Sequence, residues 1–311
     1  MRIAFVGKGG SGKTTTASLF AGNMAHQEKR VLALDADINQ HLAGALGFTG
    51  ELRSMGLEFD VIKKHLRGTN PLFDEKTMHK TTPPGNGSRF VTLDKDDWFI
   101  KNYAVHTDGV MIAGAGEIQE GNVGVRCYHG LNGAVELVLG HMIDKDDDIV
   151  IVDMTAGADA FSSSLFAKVD ALVLVVEPTL KSLSVYDQFL PNVKEYDVPL
   201  LVVANKVQDA DDRKFIEDKV GALAACIGQS AFIRKRERGI ELDYSDMEPE
   251  LSGELDRLAK KIGNITRDWA LLEKRSHLLH RKNANDWMGK AAHGHIDPSF
   301  SLEEFAKSYN K

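Results

Sequence analysis

Residues 7–14 have the residue types and the spacing of a loop that wraps phosphate groups. They fit the pattern G-x-x-x-x-G-K-[ST]. The glycines allow the backbone to curl with its N–H groups pointing inward, because a Cβ atom would block the phosphate. We expect Lys13 to reach the β- and γ-phosphates of a nucleotide and the Thr14 hydroxyl to ligate Mg²⁺. The other nucleotide-binding residues predicted in this loop are Gly9, Gly10, Ser11, Gly12 and Thr15.

Carboxylates follow two other apolar runs of the chain. Asp35 and Asp37 stand two residues apart where one run ends, so both side chains can point toward one ligand. One of them can hold a Mg²⁺-bound water while the other orients the attacking water. Asp153 ends another run, and we expect it to bind Mg²⁺ through water. Gly157 follows in a flexible turn, where its N–H can contact the γ-phosphate. Ordinary turn aspartates are the alternative interpretation.

Short apolar runs rich in β-branched residues alternate with longer mixed segments. Most runs carry no polar residue at alternate positions, which is typical of strands buried on both faces of a parallel sheet. The alternation predicts an α/β fold, a doubly wound, mostly parallel sheet with helices on both faces. In such a sheet the ligand lies at the carboxyl ends of the strands. The predicted strands are 3–6, 31–34, 110–113, 149–152, 172–176 and 200–204, and the predicted helices are 14–26, 131–142, 182–194 and 212–225.

Two segments break this alternation. Residues from about 50 to 108 are polar and rich in turn residues, which predicts an insertion of loops with one or two short helices. Residues 264–311 follow the last α/β element and are predicted to form a C-terminal helical tail with a polar end. We therefore place the P-loop domain at 1–263. The apolar positions that suit one face of a tail helix are Ile265, Trp269, Leu272 and Leu279.

The composition restricts the class of protein. The chain has 311 residues, of which 43% are hydrophobic and 27% charged, a normal globular balance. A formal net charge of −7 argues against a protein whose main role is to coat DNA or an anionic membrane. Only two cysteines are present, so a disulfide framework is implausible and a reducing compartment fits better. We predict neither a secretory signal nor a membrane-spanning run, and expect a cytoplasmic location.

These segments together resemble the MinD/ParA superfamily of ATPases, whose phosphate-binding loop has the deviant form KGGxGKT. Within it the chain most resembles the CooC group, the maturation ATPases of nickel carbon monoxide dehydrogenase. The resemblance covers roughly residues 1–260. DMTAG is similar to the DMEAG of that group, and VVEPTLKSL to its VVEPS/T–x–x–S segment. The other stretches that carry the resemblance are GKGGSGKTTTA, LALDADINQHL, DGVMIAGAGE and LVVANKV.

The resemblance implies roles for four residues. In this class the lysine after the first glycine, here Lys8, crosses a dimer interface and contacts the phosphates of the partner's nucleotide. Asp35 is implied to hold the Mg²⁺-bound water, and Asp37 to orient the attacking water. Asn205, at the end of a further buried strand, is implied to contact the adenine edge with its amide. A solvated lysine and a turn asparagine are the alternatives. The predicted catalytic residues are thus Lys8, Lys13 and Asp37, and the predicted Mg²⁺ ligands, partly through water, are Thr14, Asp35 and Asp153.

One feature departs from the CooC pattern. That group carries Cys-x-Cys between the third strand and the next helix, and two subunits supply four thiolates to one metal ion. Here the corresponding stretch keeps Cys127 and has His129 in place of the second cysteine. Two subunits would offer a Cys₂His₂ set, which suits Zn²⁺ or Ni²⁺. An ordinary interface cysteine and histidine are the alternative. An iron–sulfur reductase is excluded, because residues 154–164, shortly after Asp153, contain no cysteine to complete four thiolates.

The predicted function is that of a Mg-ATP-dependent switch. ATP draws two subunits into a homodimer, hydrolysis to ADP resets it, and the motion is coupled to a client protein, a metalloenzyme or its metal. The alternative is a partition or positioning ATPase, in which binding of the ATP-bound dimer to DNA or a membrane is the function. A third hypothesis is an adaptor that binds nucleotide without hydrolysing it. The sequence has no strong nucleic-acid or membrane signal and does not name the client.

Overall fold

One sheet of eight strands organises the part of the chain that the computed structural model describes. The described residues are 1–117 and 128–309, with the backbone alone at 128–129 and 290–291. The strand order is β3-β4-β2-β5-β1-β6-β7-β8, and all neighbours are parallel except β3 and β4. The strands are β1 (Arg2–Gly7), β2 (Arg30–Ala36), β3 (Val105–Thr107), β4 (Val110–Gly114), β5 (Asp148–Met154), β6 (Ala171–Val176), β7 (Leu200–Val207) and β8 (Ala225–Gly228).

Helices cover both faces of the sheet. Successive residues of a strand point to opposite faces, so Ile3 and Phe5 of β1 join one core cluster while Ala4 and Val6 join the other. Helices α1, α2, α8 and α9 pack in the first cluster, and α3 to α7 in the second. The helices are α1 (Lys13–His26), α2 (Leu42–Ala45), α3 (Phe59–Arg67), α4 (Trp98–Tyr103), α5 (Tyr128–Gly140), α6 (Leu180–Glu195), α7 (Ala210–Val220), α8 (Ala231–Arg236), α9 (Pro249–Gly263), α10 (Trp269–Asn283) and α11 (Leu302–Tyr309).

The parallel register brings the acidic strand ends together. Asp35 of β2 lies directly beside Asp153 of β5, and β5 in turn pairs with β1, which leads into the loop at 7–14. Because parallel strands all end at the same edge, residues far apart in the sequence meet there. The sheet therefore assembles the candidate site at its carboxyl edge.

The predicted helix at 212–225 is wrong at its C-terminal end. Helix α7 ends at Val220, and Gly221 has a φ of 82°, a conformation that terminates helices. The four residues Ala225–Gly228 then form β8 at the edge of the sheet. An apolar run of four residues is too short for its periodicity to distinguish a strand from the end of a helix.

The predicted insertion at 50–108 contains the expected short helices, α3 and α4, and also a strand. Strand β3 pairs with β4 through a turn at Asp108 and Gly109, which have φ values of 48° and 77°. An Asp-Gly pair is typical of a two-residue hairpin turn. The segment is also a structural part of the core. Its fully buried apolar side chains include Met55, Ile62, Leu66, Val91 and Phe99.

The C-terminal tail packs against the loops that precede β5 and β6. The Arg267 guanidinium contacts Asp144 and lies 2.8 Å from Asp170 Oδ2. The Trp269 ring contacts two guanidinium groups, with Arg2 at 5.0 Å and Arg267 at 4.9 Å from the ring centre. Such contacts combine cation–π attraction with burial of the aromatic ring.

The predicted tail helix is α10, although Ile265 lies before its first residue. Arg275 of α10 is buried, and it donates to the carbonyl oxygens of Tyr196 at 2.7 Å and Val169 at 3.2 Å. The final stretch forms α11, whose Leu302 and Ala306 pack on Ile143. Among the described residues, no helix combines the length and the hydrophobicity needed to cross a bilayer.

Candidate functional site

The loop at 7–14 has little space for side chains. A Cβ atom added to Gly7 would lie 2.6 Å from both Ser11 Oγ and the carbonyl oxygen of Val175. Gly12 has a φ of 88°, and a Cβ there would lie 2.1 Å from Asn205 Nδ2. Only glycine adopts such a conformation without strain. The predicted requirement for glycine therefore has a concrete steric cause at these two positions.

Helix α1 begins at this loop with its N–H groups unpaired by any capping side chain of the described residues. By contrast, Thr179 caps α6 and Asp268 caps α10 through their side-chain oxygens. The Ser11 hydroxyl, in the same loop, is buried and has no hydrogen-bond partner within 1–117 and 128–309. Free helix N–H groups and an unpaired buried hydroxyl together suit an anionic group such as a phosphate.

The Lys13 ammonium lies at the centre of the site. It lies 2.5 Å from Asp153 Oδ1 and 3.0 Å from Asp37 Oδ2, and only 6% of the residue is exposed. Burial on its own would lower the pKa of Lys13, but Asp153 and then Asp37 outweigh it and raise that pKa. Lys13 is therefore a fixed positive charge beside two carboxylates, which come from the ends of two different strands.

The three aspartates have different environments. Burial, followed by the negative charge of Asp153, raises the pKa of Asp35 to about 7. Burial also raises the pKa of Asp153 against the opposing effect of Lys13. Asp37 is less enclosed, so Lys13 and the N–H groups of Asn39 outweigh its burial and lower its pKa. The site thus holds more carboxylates than nearby cations, and added positive charge would stabilise it.

Thr14 and Asp153 form the part of the site that fits Mg²⁺. The Thr14 hydroxyl donates to Asp153 Oδ2 at 2.6 Å, so a hydroxyl oxygen and a carboxylate oxygen lie close enough to bind one cation. Mg²⁺ prefers oxygen ligands and usually takes one or two protein groups together with waters and phosphates. No group of three or more His, Cys, Asp or Glu side chains arranged for a metal exists within the described ranges. These donors therefore suit a cation that arrives with a nucleotide.

Asp35 has a structural role in addition to its predicted one. Its Oδ1 accepts from the backbone N–H of Asp37 at 3.1 Å, and its Oδ2 accepts from that of Leu42 at 2.8 Å. These bonds fix the turn that presents Asp37 to Lys13. The role of Asp35 in holding a Mg²⁺-bound water stays a prediction.

Lys8 lies at the mouth of the site and not among the aspartates that surround Lys13. Its ammonium is 3.9 Å from Glu177 Oε1, and 28% of its side chain is exposed. Glu177 also contacts Lys206 at 3.3 Å, and Lys206 donates to the carbonyl oxygen of Gly10 at 2.5 Å. Lys8 is thus held loosely at the surface, where a second molecule can approach it.

Asn205 connects the loop with a neighbouring cleft. Its Nδ2 donates to the carbonyl oxygen of Ser11 at 2.8 Å, and the residue lies in the irregular part of β7 between Ala204 and Val207. The cleft has a volume of about 360 Å³, within the range of small-molecule sites. Its lining residues include Thr15, Asn205, Gln208, Ser230, Arg234 and Glu237.

The remaining predicted site residues lie close to the loop. A Cβ added to Gly9 would lie 4.0 Å from the Cβ of Ala156, so the turn that contains Gly157 borders the loop. Gly157 has a φ of 67°. The Thr15 hydroxyl faces the cleft and lies 3.4 Å from Glu237 Oε1. Gly10 has a φ of 85°, as expected for a tight phosphate-binding turn.

The predicted transition-metal pair cannot be placed in the site. Cys127 lies outside the described residues, and so does the side chain of His129. Binding of Zn²⁺ or Ni²⁺ by this pair therefore stays a prediction from the sequence.

Comparison with known proteins identifies the family. Residues 3–250 match the family model CbiA, described as the CobQ/CobB/MinD/ParA nucleotide binding domain. The chain belongs to this family. Carbon monoxide dehydrogenase accessory protein CooC of Rhodospirillum rubrum is 29% identical over 221 residues, which are 70% of this chain and 79% of that protein. An ATP-binding protein of Methanocaldococcus jannaschii is 30% identical over 219 residues, again 70% and 79% of the two chains. The resemblance predicted from the sequence is confirmed.

Solved structures of the family share the fold. The cell division ATPase MinD of Pyrococcus furiosus superposes with a TM-score of 0.55 at 19% identity, over 85% of this chain and 99% of that one. The complex of a Cyanothece McdA variant with ATP gives 0.55 at 16% identity, over 86% and 98%. The predicted doubly wound α/β fold is confirmed.

Several residues that border the site carry no recognisable signal in the sequence. Glu177 follows β6 and Lys206 is the penultimate residue of β7, at the carboxyl ends where ligand-binding residues are expected, but neither belongs to the phosphate-loop pattern. Arg234 of α8 and Glu237, which directly follows α8, line the cleft, and α8 comes directly after the edge strand β8. Asn132 of α5 donates to the carbonyl oxygen of Ala36 at 3.0 Å, a contact that no local pattern indicates.

Proposed function

We propose that this protein is a Mg²⁺-dependent ATPase that works as a nucleotide-driven dimeric switch and acts on a client protein. The observation that carries the proposal is the convergence of Lys13, Thr14, Asp37 and Asp153 at the end of the phosphate-binding loop. Residues of these types at this place position a triphosphate and an attacking water in P-loop hydrolases.

Each residue has a separate task in hydrolysis. Lys13 and the loop N–H groups bind and orient the phosphates, and Asp37 holds a water in line with the γ-phosphate. Thr14 and Asp153 would hold Mg²⁺, which would neutralise negative charge on the nucleotide. Asp35 fixes the turn that carries Asp37. Gly157 donates its N–H to the γ-phosphate and so distinguishes ATP from ADP.

The cleft beside Asn205 supports ATP as the nucleotide. Asn205 and Gln208 are amides, which offer a donor and an acceptor, as does the edge of adenine. Guanine presents two adjacent donors, which a carboxylate accepts better than an amide does. The solved MinD of Pyrococcus horikoshii, similar to this chain with a TM-score of 0.55 at 16% identity, is a complex with Mg-ADP.

Lys8 supports the dimeric part of the proposal. Its side chain is partly exposed, and its ammonium lies 3.9 Å from Glu177 Oε1. A cation brought to the γ-phosphate of a partner subunit stabilises the charge that develops during hydrolysis, as arginine fingers do. Turnover should therefore depend on protein concentration and stay slow in the monomer.

The client is proposed from the relatives. One similar protein is a carbon monoxide dehydrogenase accessory protein, which suggests a metalloenzyme as the client and insertion of its metal as the coupled event. The alternative is a partition or positioning ATPase, since the family includes MinD and ParA proteins and one similar solved structure is a cell division ATPase. Binding to nonspecific DNA that weakens steeply with salt would favour that alternative, while the net charge of −7 argues against it.

Calorimetry with Mg·ATP, phosphate release and light scattering test the proposal together. Lys13→Ala should abolish binding, and Asp37→Ala should keep binding but stop phosphate release and accumulate an ATP-bound dimer. Lys8→Ala should lower the rate by about 10- to 100-fold with binding retained. Lys181→Ala is the matched control, because this exposed lysine lies outside the site.

Two results would contradict the proposal. Undiminished phosphate release by Asp37→Ala would mean that hydrolysis does not occur at this site. If Lys8→Ala is as active as Lys181→Ala, Lys8 does not act on the nucleotide of a partner subunit. The protein would then be an ATPase that works as a monomer. Proteins that co-purify with ATP-bound Asp37→Ala but not with Lys13→Ala would be candidate clients.

A further inference from the structure

Helix α5 contacts both acid-bearing segments of the nucleotide site through buried polar side chains. Asn132 and Glu136 are four residues apart, so they lie on one face of the helix, about 6 Å apart along its axis. They are 3% and 0% exposed. The rest of the buried helix is largely apolar, so these two side chains stand out within the core.

Asn132 reaches the first acidic segment. Its Nδ2 donates to the carbonyl oxygen of Ala36 at 3.0 Å, and Ala36 stands between Asp35 and Asp37. This hydrogen bond therefore holds the backbone midway between the two carboxylates. A shift of Ala36 would move Asp37 relative to Lys13, which lies 3.0 Å from it.

Glu136 reaches the second segment. Its Oε1 accepts a hydrogen bond from the Ser164 hydroxyl, and Ser164 lies in the segment between β5 and β6 that follows Asp153 and contains Gly157. Its other carboxylate oxygen lies 3.3 Å from the Lys80 ammonium. A buried carboxylate with a charged partner and a hydroxyl donor is held in one geometry.

A role in stability alone explains these side chains poorly. The Oδ1 atom of Asn132 is buried and has no hydrogen-bond partner among the described residues. A buried polar atom without a partner is unfavourable, so an apolar side chain of similar size would stabilise this position better. Compared with an apolar side chain, the asparagine adds the hydrogen bond to the carbonyl oxygen of Ala36.

We propose that Asn132 and Glu136 are positioning residues for ATP hydrolysis, which hold the Asp35–Asp37 segment and the segment after Asp153 in one arrangement through α5. This inference rests on the proposed ATPase function. It places the catalytic geometry partly under the control of a helix that touches neither the phosphates nor the cation, so that movement of α5 changes the rate of hydrolysis.

The test separates turnover from nucleotide binding. Asn132→Ala should lower kcat by about tenfold or more, since small displacements of a water-orienting group are costly, while Kd for Mg·ATP changes by less than about threefold. Val135→Ala is the matched control, because it shortens an equally buried side chain of α5 without a polar contact. It should leave kcat within about twofold of the parent at a similar loss of thermal stability.

Ser164 provides an independent second test. Ser164→Ala and Glu136→Ala should each lower kcat, and the double variant should lower it no further than Glu136→Ala, because both remove one interaction. Glu136→Gln keeps an acceptor for the Ser164 hydroxyl and should restore most of the rate. If Asn132→Ala does not fold, these variants still test whether α5 positions the segment after Asp153.

The possible outcomes are distinct. If the parent protein binds but does not hydrolyse Mg·ATP, the proposed function itself fails. If the parent hydrolyses ATP and Asn132→Ala is as active as Val135→Ala, the positioning role of Asn132 is refuted. Additive effects of Ser164→Ala and Glu136→Ala would refute the link through α5.

Discussion

The buried carboxylate of Asp144 offers a sharp test of how the tail is joined to the sheet. Arg2 Nε lies 2.8 Å from Asp144 Oδ1, and Arg267 contacts the other oxygen. Asp144 is fully buried, so Asp144→Asn would remove the negative charge that balances two guanidinium groups. Arg267 would still have Asp170 as a partner at 2.8 Å. Loss of one partner of a buried ion pair costs about 3–5 kcal/mol of unfolding free energy. We therefore expect Tm to fall by roughly 6–10 °C, at about 2 °C per kcal/mol.

The neighbouring residue Asp147 supplies the control. Its contact with Lys29 is just as short, 2.8 Å, but 87% of its side chain is exposed, so Asp147→Asn should leave Tm almost unchanged. Both variants would be melted without nucleotide, with circular dichroism as the probe. Equal Tm values for the two variants would refute the reasoning that burial makes the Asp144 contacts strong. Asp144→Asn should also leave Kd for Mg·ATP unchanged, because these contacts lie at the opposite end of the strands from the site.

The same carboxylate predicts how stability depends on pH. Burial on its own would raise the pKa of Asp144, but Arg2 and Arg267 outweigh it and hold that pKa well below its usual value. A carboxylate whose pKa is depressed on folding stabilises the protein above its unfolded pKa of about 3.9, and this contribution disappears as the pH falls toward the folded pKa. Urea midpoints of the parent and Asp144→Asn should therefore differ fully at neutral pH and converge below about pH 4. A difference that already shrinks well above about pH 5, or one that stays unchanged far below about pH 4, would contradict this assignment.

Two further predictions concern the nucleotide site. Gly12→Ala should weaken Mg·ATP binding by about tenfold or more. The new Cβ would collide with Asn205, and the φ of 88° would be strained. In calorimetry the control Gly253→Ala should bind like the parent, because a Cβ at that position of α9 meets no other atom. Gln208→Asp should raise the affinity for GTP relative to ATP by about tenfold, since a carboxylate accepts hydrogen bonds from the two donors of guanine. Competition of either nucleotide with labelled ATP measures the ratio of the two affinities. An unchanged ratio would show that Gln208 does not face the base.

Local sequence was sufficient to predict the loop at 7–14 and the buried strands. The loop consists of contiguous residues whose backbone geometry depends on glycine, so its pattern is visible without any tertiary contact. The acidic strand ends at Asp35 and Asp153 were also predictable, because parallel strands end at a common edge. By contrast, β8 is four residues long, and a run of that length does not identify its own secondary structure.

Tertiary structure decided the contacts between residues far apart in the chain. The pairing of Lys8 with Glu177, the contact of Asn132 with Ala36 and the docking of Arg267 depend on strand order and helix packing. Sequence alone predicted that this protein has a phosphate-binding loop and acidic groups at the ends of two other strands. Which side chains hold those groups in place was decided by the fold, because hydrogen bonds and ion pairs form only between atoms that packing brings within about 3–4 Å.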